Sequence, residues 1–280
     1  LHNRFLKAYE YSDCWIEDSR LVILNARDAE MRGAKINVRT KVTAAEQVDN
    51  VWQITLEPEG GGAKRIVRAK IIVNAGGPWV GDIICNTLRI NTTEGVRLVR
   101  GSHIITKKLY EHDKCYFFQG EDGRIIFTIP YETDFTLIGT TDVEHSDVSE
   151  KPICTQEEQE YLVKFVSKYL EKIVTVDDII HTYSGVRPLY DDRAMSATAA
   201  TRDYVLKVDE TVGAPILNVF GGKITTYRKL AESALKKLEN FLPIDDKPWT
   251  AGVPLPGGAF PVDGVLVLSL IHISEPTRPY

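Results

Sequence analysis

Paired cysteines are missing. The four in 280 residues, Cys14, Cys85, Cys115 and Cys154, stand far apart, with no C-x-x-C pair and no histidine at metal-ligand spacing. That argues against a disulfide framework, a zinc site and a redox dithiol, and points to free thiols in a reducing compartment. Basic charge is in deficit: 34 Lys and Arg face 39 Asp and Glu, a formal charge of −5 with His neutral. Without a run of Lys or Arg interleaved with aromatics, this balance argues against a nucleic-acid surface. Long hydrophobic runs are absent too. The longest, residues 262–273, contains Asp263 and Ser269 and is too short to span a bilayer, and no secretory leader is visible. The opening LHNRFLKAYEYSDCW has no initiator Met and reads like an internal position of a longer protein. The last thirteen residues, LSLIHISEPTRPY, resemble a translated sequencing adaptor and are set apart from the fold. What remains is 43% apolar, enough to bury a core in one large domain or two ordinary ones.

The rest of the chain is organised around residues 216–240, ILNVFGGKITTYRKLAESALKKLEN. Residues 216–220 are a short apolar run suited to a buried strand, and Gly221 and Gly222 can take positive φ. From Thr225 onward, Leu230, Ala231, Ala234, Leu235 and Leu238 recur at helical spacing. Strand, glycine turn and helix bring backbone N–H groups and a positive dipole end together beside Lys223, which suits a negatively charged or electron-rich ligand. Taken alone, a plain βα connection with a solvated lysine explains the pattern equally well.

Asp18 or Ser19 is expected to cap a helix ending at Gly33, whose apolar face needs a sheet to lie on. Residues 34–42 read as a strand, residues 51–56 alternate apolar and polar as a half-buried strand, and residues 63–69 return after the Gly60-Gly61-Gly62 turn as its hairpin partner. Residues 70–75, KIIVNA, form another buried strand ended by Gly76-Gly77-Pro78-Trp79, with Pro78 opening a helix through about Cys85. This is a second strand-Gly-Gly-helix junction, as expected where several parallel strand ends face one ligand. From about Asn91 strand-like runs follow one another at 96–107, 115–119, 124–131 and 135–141, which predicts an antiparallel sheet. A helix interrupts them, with Thr155 and Glu158 as a capping box and Tyr161, Leu162, Phe165, Val166, Tyr169 and Leu170 as its stripe. The expected class is mixed α/β (α+β). Its layout is a first sheet domain at 1–95, a β-rich domain at 96–205, a return strand and helix at 206–245, and a linker with a non-native tail at 246–280.

In YSGVRP, Gly185 and Pro188 restrict the backbone around Arg187, and Arg202 lies in TRDY just before the strand VLKV. Two planar guanidinium forks on one cavity would suit a small anion. For each alone, pairing with Asp191, Asp192 or Asp203 is the simpler reading. His103, in VRGSHII, would more often be a hydrogen-bonded core residue, yet its pKa makes it the best proton acceptor if a hydroxyl is oxidised nearby.

Seven motifs, YSDCW, VNAGGPWV, RGSHII, IGTTDVE, YSGVRPL, TRDY and FGGKITTYRKLAE, together resemble the flavin-dependent glycerol-3-phosphate dehydrogenases of the aerobic respiratory type. The resemblance covers about residues 5–258. It implies a partial FAD-binding, Rossmann-like domain of the D-amino-acid-oxidase-like class with an inserted antiparallel substrate domain. By resemblance, Ala75, Gly76, Gly77, Trp79, Gly221, Gly222, Lys223 and Thr225 hold the cofactor. Arg187, Arg202, His103 and Lys223 bind substrate, with His103, Lys223 and Arg187 as the catalytic set. The implied reaction oxidises sn-glycerol 3-phosphate to dihydroxyacetone phosphate by hydride transfer to FAD, with electrons passed to a quinone. The implied place is the cytoplasmic face of the membrane as a peripheral protein, with a homodimer allowed. The sequence departs from that family in having no G-x-G-x-x-G turn for the FAD pyrophosphate and no helical domain beyond about Gly258. A shortened frame that binds FAD poorly is therefore expected. A glycerol-3-phosphate oxidase, an amine or amino-acid oxidase of the same fold, and a binding module without turnover are the alternatives.

Overall fold

A computed structural model describes residues 1–191, 203–211, 213–243 and 247–264. The chain divides into two compact units, Leu1–Tyr11 with Lys41–Ile244 and Ser12–Thr40 with Asp245–Tyr280.

The smaller unit holds helix α1 (Asp18–Met31). Glu17, not Asp18 or Ser19, occupies its N-cap, with no side-chain cap bond. Asp18 is the first helical residue, where its charge meets the positive end of the dipole. Gly33 ends the helix with φ +97, as the sequence predicts. No residue of α1 is buried, and Leu21, Leu24, Asn25 and Ala29 are half-buried. Of the strand expected over 34–42, residues 40–42 are extended and residues 34–39 are not. Ile36 and Val38 alternate but are exposed, with no strand beside them, and Arg39 turns the chain at φ +51.

In the larger unit extended structure begins at β1 (Thr40–Val48), followed by β2 (Val51–Pro58) and β3 (Arg65–Ala69) in one sheet ordered β1-β2-β3. The glycine turn before β3 makes the expected hairpin, with all three glycines at positive φ. Trp52, fully buried, donates Nε1 to the Pro215 carbonyl at 3.2 Å and ties this sheet to the chain entering the last strand. Strand β4 (Ile72–Asn74) is shorter than its apolar run. It ends in a 3-10 turn, Gly77–Trp79, then α2 (Val80–Asp82) and a π turn, Ile83–Thr87.

Six strands build the next sheet: β5 (Val96–Lys107), β6 (Tyr116–Gln119), β7 (Ile125–Tyr131), β8 (Phe135–Gly139), β9 (Val143–Glu144) and β10 (Ile179–Tyr190). Their order is β10-β5-β8-β7-β6, with β9 also on β5, and every pair is antiparallel. Helix α3 (Gln156–Ser167) covers one face. Its capping box is complete, and Leu162, Phe165 and Val166 pack with Ile104, Phe118, Ile126 and Ile138 in one apolar cluster. Leu170, just past the helix, is buried in the same cluster.

Strands β11 (Val205–Asp209) and β12 (Ile216–Phe220) join β4 in the order β11-β12-β4, β12 running parallel to β4 and antiparallel to β11. All five residues of β12 are buried, which explains apolar residues on both faces around the single polar Asn218 where one-sided strands alternate. After Gly221 and Gly222 come a 3-10 turn, Ile224–Thr226, and helix α4 (Tyr227–Lys237).

Candidate functional site

Antiparallel register decides which side chains of the six-stranded sheet share a face. On β5, Arg100, Ser102 and Ile104 face α3, so Gly101 and His103 face the other way. His103 stands opposite Tyr183 on β10 and Gly139 on β8. Its imidazole stacks on the Tyr183 ring, with centroids 4.8 Å apart and planes 5° from parallel. The ring lies across Gly139, where a Cβ would stand 2.1 Å from His103 Cδ2. Gly101 plays the same part for Arg187, since a Cβ there would be 2.4 Å from Nη2. Two glycines on neighbouring strands thus leave room for an imidazole and a guanidinium on one face.

Arg187 is held by the segment between β8 and β9. Its Nη1 donates to Asp142 Oδ1 at 2.7 Å and to the Thr141 carbonyl at 3.3 Å, and its Nη2 donates to Thr140 Oγ1 at 2.9 Å. Its side chain is 36% exposed, so a ligand can reach it. Burial, and then the Arg187 charge, lower the His103 pKa to about 4. The imidazole is therefore neutral near pH 7, and its buried Nδ1 has no hydrogen-bond partner among the described residues.

The two glycine junctions lie at the same end of adjacent parallel strands, because Asn74 and Asn218 are register partners. Both side chains are buried. Asn74 Nδ2 donates to Asn218 Oδ1 at 3.0 Å and to the Val80 carbonyl at 3.1 Å, while Asn74 Oδ1 accepts from the Gly76 N–H at 3.3 Å. Strand β10 reaches this place: it packs against the Gly77–Trp79 turn and β12, and a Cβ on Gly221 would lie 3.4 Å from the Pro188 carbonyl oxygen and 3.5 Å from the Tyr190 N. One strand therefore carries Tyr183 beside His103, then Arg187, then backbone against Gly221.

His103 and Arg187 are brought together, and Gly76, Gly77, Gly221 and Gly222 converge through β4 and β12. Gly221 and Gly222 have φ of +69 and +101, and Gly77 has +56. Ala75, Trp79, Lys223 and Thr225 sit exposed in or beside the two turns. Arg202, Asp192 and the adaptor-like tail lie outside the described residues. Asp142, 45 residues earlier in sequence, is a carboxylate that grips Arg187. The sequence reasoning missed Asp142, Thr140 and the buried Asn pair; IGTTDVE was noticed as a motif, but no local signal ties it to Arg187.

An FAD ring needs bare backbone at its edge. Gly77 supplies it, with nothing within 4 Å of where a Cβ would be, and Lys223 with the turn after it supplies an exposed cation and backbone N–H groups. These residues fit the ring end of the cofactor. For its pyrophosphate the 280 residues hold no G-x-G-x-x-G turn.

The FAD dependent oxidoreductase family (DAO) matches residues 1–228. A glycerol-3-phosphate dehydrogenase of Pseudomonas tolaasii is 45% identical over 259 residues, covering 92% of this chain and 50% of that protein. A D-erythritol 1-phosphate dehydrogenase of Brucella abortus is 44% identical over 256 residues, covering 91% of this chain and 51% of that protein. The chain thus spans about half the length of the curated relatives it matches. Among solved structures, the glycerol-3-phosphate dehydrogenase of Bacillus halodurans complexed with FAD superposes with a TM-score of 0.73 at 25% identity, over 86% of this chain and 46% of that one. No helix among the described residues is long and apolar enough to cross a membrane. With its antiparallel sheet inserted between two parallel strands that end in glycine turns, the chain belongs to the FAD-dependent oxidoreductase (DAO) family.

Proposed function

We propose that this chain supplies the substrate site and the flavin-ring end of the cofactor site for oxidation of sn-glycerol 3-phosphate to dihydroxyacetone phosphate. Residues 96–205 serve as the substrate domain, and residues 1–95 with 206–245 as the flavin side. The observation that carries this reading is strand β10, which links the His103 and Arg187 face to the Gly221 turn. Arg187, fixed by Asp142 and Thr140, presents its guanidinium to the phosphate, with Arg202 as a second arm. Neutral His103, on the same face as Arg187, accepts the hydroxyl proton. Lys223 sits at the exposed edge of the glycine turn and steadies the alkoxide as that proton leaves. Bound FAD supplies the two-electron acceptor for the hydride. The wider assignments, a quinone as electron acceptor, peripheral attachment at the cytoplasmic membrane and a homodimer, are part of this reading and rest on resemblance.

The Brucella relative favours a second substrate, D-erythritol 1-phosphate, which offers the same terminal phosphate on a longer polyol. A chimaera in which this chain replaces the matching half of the Pseudomonas dehydrogenase separates the two in a dye-linked assay. Glycerol 3-phosphate is expected to give the higher kcat/KM, and Arg187→Lys to lower it about 100-fold by losing the bidentate fork. A flavin-loaded chimaera that oxidises neither polyol phosphate, or that prefers an amino acid, overturns the proposal.

A further inference from the structure

Behind the sheet, on the face opposite His103 and Arg187, a carboxylate is buried where only apolar contacts are needed for packing. Glu158 is 5% exposed and does more than complete the α3 cap. Its Oε2 accepts from the Thr155 N–H at 3.0 Å and lies 3.0 Å from Arg100 Nη2. Its Oε1 accepts from Ser102 Oγ at 2.8 Å and from Thr141 Oγ1 at 2.6 Å. Thr141 Oγ1 in turn accepts from the Ser102 N–H at 2.9 Å. Because the single Ser102 hydroxyl proton goes to Glu158, Ser184 Oγ on β10 donates to Ser102 Oγ at 2.8 Å. Helix, two strands and the 140–142 segment are therefore tied to one carboxylate.

Two of the residues it ties, Ser102 and Thr141, are chain neighbours of residues on the opposite face. Ser102 lies between Gly101, which Arg187 crosses, and His103. Thr141 lies between Thr140 and Asp142, whose side chains grip Arg187, and its own carbonyl accepts the third Arg187 bond. Thr140 and Asp142 are bonded directly to Thr141 in the chain, so pinning the Thr141 hydroxyl from behind restricts where both stand in front. We infer that Glu158 is a positioning residue for the substrate site, acting through the sheet by way of Thr141 and Ser102 to fix the Arg187 guanidinium. Burial by itself would raise the Glu158 pKa; the hydrogen bonds from Thr141, Thr155 and Ser102 and the Arg100 charge outweigh it and hold the carboxyl below its ordinary value. The carboxylate is thus ionised at neutral pH and accepts all of these bonds.

The inference rests on the proposed substrate site, so two readouts on the full 280-residue chain keep the two claims apart. The first is the Arg187 guanidinium spectrum by 15N NMR, in which a hydrogen-bonded fork gives separate Nη signals and a released one gives an average. The second is calorimetric binding of glycerol 3-phosphate. Glu158→Gln and Thr141→Val are expected to merge the Arg187 Nη signals and to weaken glycerol 3-phosphate about tenfold, well below their melting temperatures. Thr141→Ser keeps the hydroxyl and is expected to restore both. Arg187 signals that stay separate in Glu158→Gln overturn the relay, whatever the ligand does. Absence of glycerol 3-phosphate binding to the unaltered chain, or binding unchanged by Arg187→Lys, overturns the substrate reading alone, and the guanidinium spectra still decide the relay.

Discussion

His103 concentrates the chemistry of the site in one side chain. Its folded-state pKa is about 4 against an ordinary 6.5, so between those values the unfolded chain binds a proton that the fold refuses. Stability then rises with pH through this window: the contribution is complete above 6.5, declines as pH falls, and is gone below about 4. The shift corresponds to about 3 kcal/mol. Urea unfolding of the unaltered chain and of His103→Gln should give curves that converge as pH falls from 6.5 to 4 and stay parallel above 6.5. The difference isolates the histidine from Asp122 and Glu158, whose lowered values act only below the ordinary carboxylate range. Parallel curves through the whole window would mean the imidazole is not desolvated. An anion at Arg187 would cancel the charge that helps keep His103 neutral, so saturating phosphate should move the window upward.

At the scale of elements, the junctions between β4, β12 and their glycine turns depend on one amide pair. Removing the Asn74 side chain leaves the Gly76 N–H, the Val80 carbonyl and Asn218 Oδ1 short of a partner in a buried place. Asn74→Ala should therefore cost on the order of 3 kcal/mol in urea unfolding. Asn86→Ala, which loses only an exposed bond to Asp82, should stay within about 0.5 kcal/mol. Equal effects would show that the buried pair is not what joins the strands. Elements of this kind were partly legible in the sequence. The run of β12, the complete Thr155 and Glu158 capping box and strands β5 to β8 follow from patterns within a few residues, whereas β9 and β10 are not among the strands expected from the sequence. Of the run at 34–42 only its end, 40–42, is strand, because residues become a strand only where another strand lies beside them. Arg187 with Asp142, and Glu158 with Ser102 and Thr141, follow from the order β10-β5-β8 and from α3 lying on β5, which no local pattern encodes. Glu158 is instructive because the sequence marks it as a helix cap, a role usually at the surface, while the fold also uses it as the buried partner of Arg100.

For the molecule as a whole, the division of labour within the cofactor site sets what the chain can do by itself. In the proposed reading the ring end is formed by the Gly77 turn and the Gly221–Lys223 turn, and these two backbone features come from strands β4 and β12 held in register. A flavin dinucleotide, however, draws much of its hold from a pyrophosphate seated on a glycine turn and helix N-terminus, and the 280 residues contain no such motif. Losing even two charge-assisted hydrogen bonds there, at about 1.5–3 kcal/mol each, weakens retention by roughly a hundredfold or more. The purified chain mixed with FAD and passed over a desalting column should emerge colourless. The chimaera that adds the Pseudomonas segment should emerge yellow with one flavin per chain. Loss of flavin by both proteins would place the fault in the ring-end residues named here, whereas a chain that keeps stoichiometric FAD unaided would mean that the isoalloxazine contacts alone suffice and that the pyrophosphate turn is dispensable in this fold.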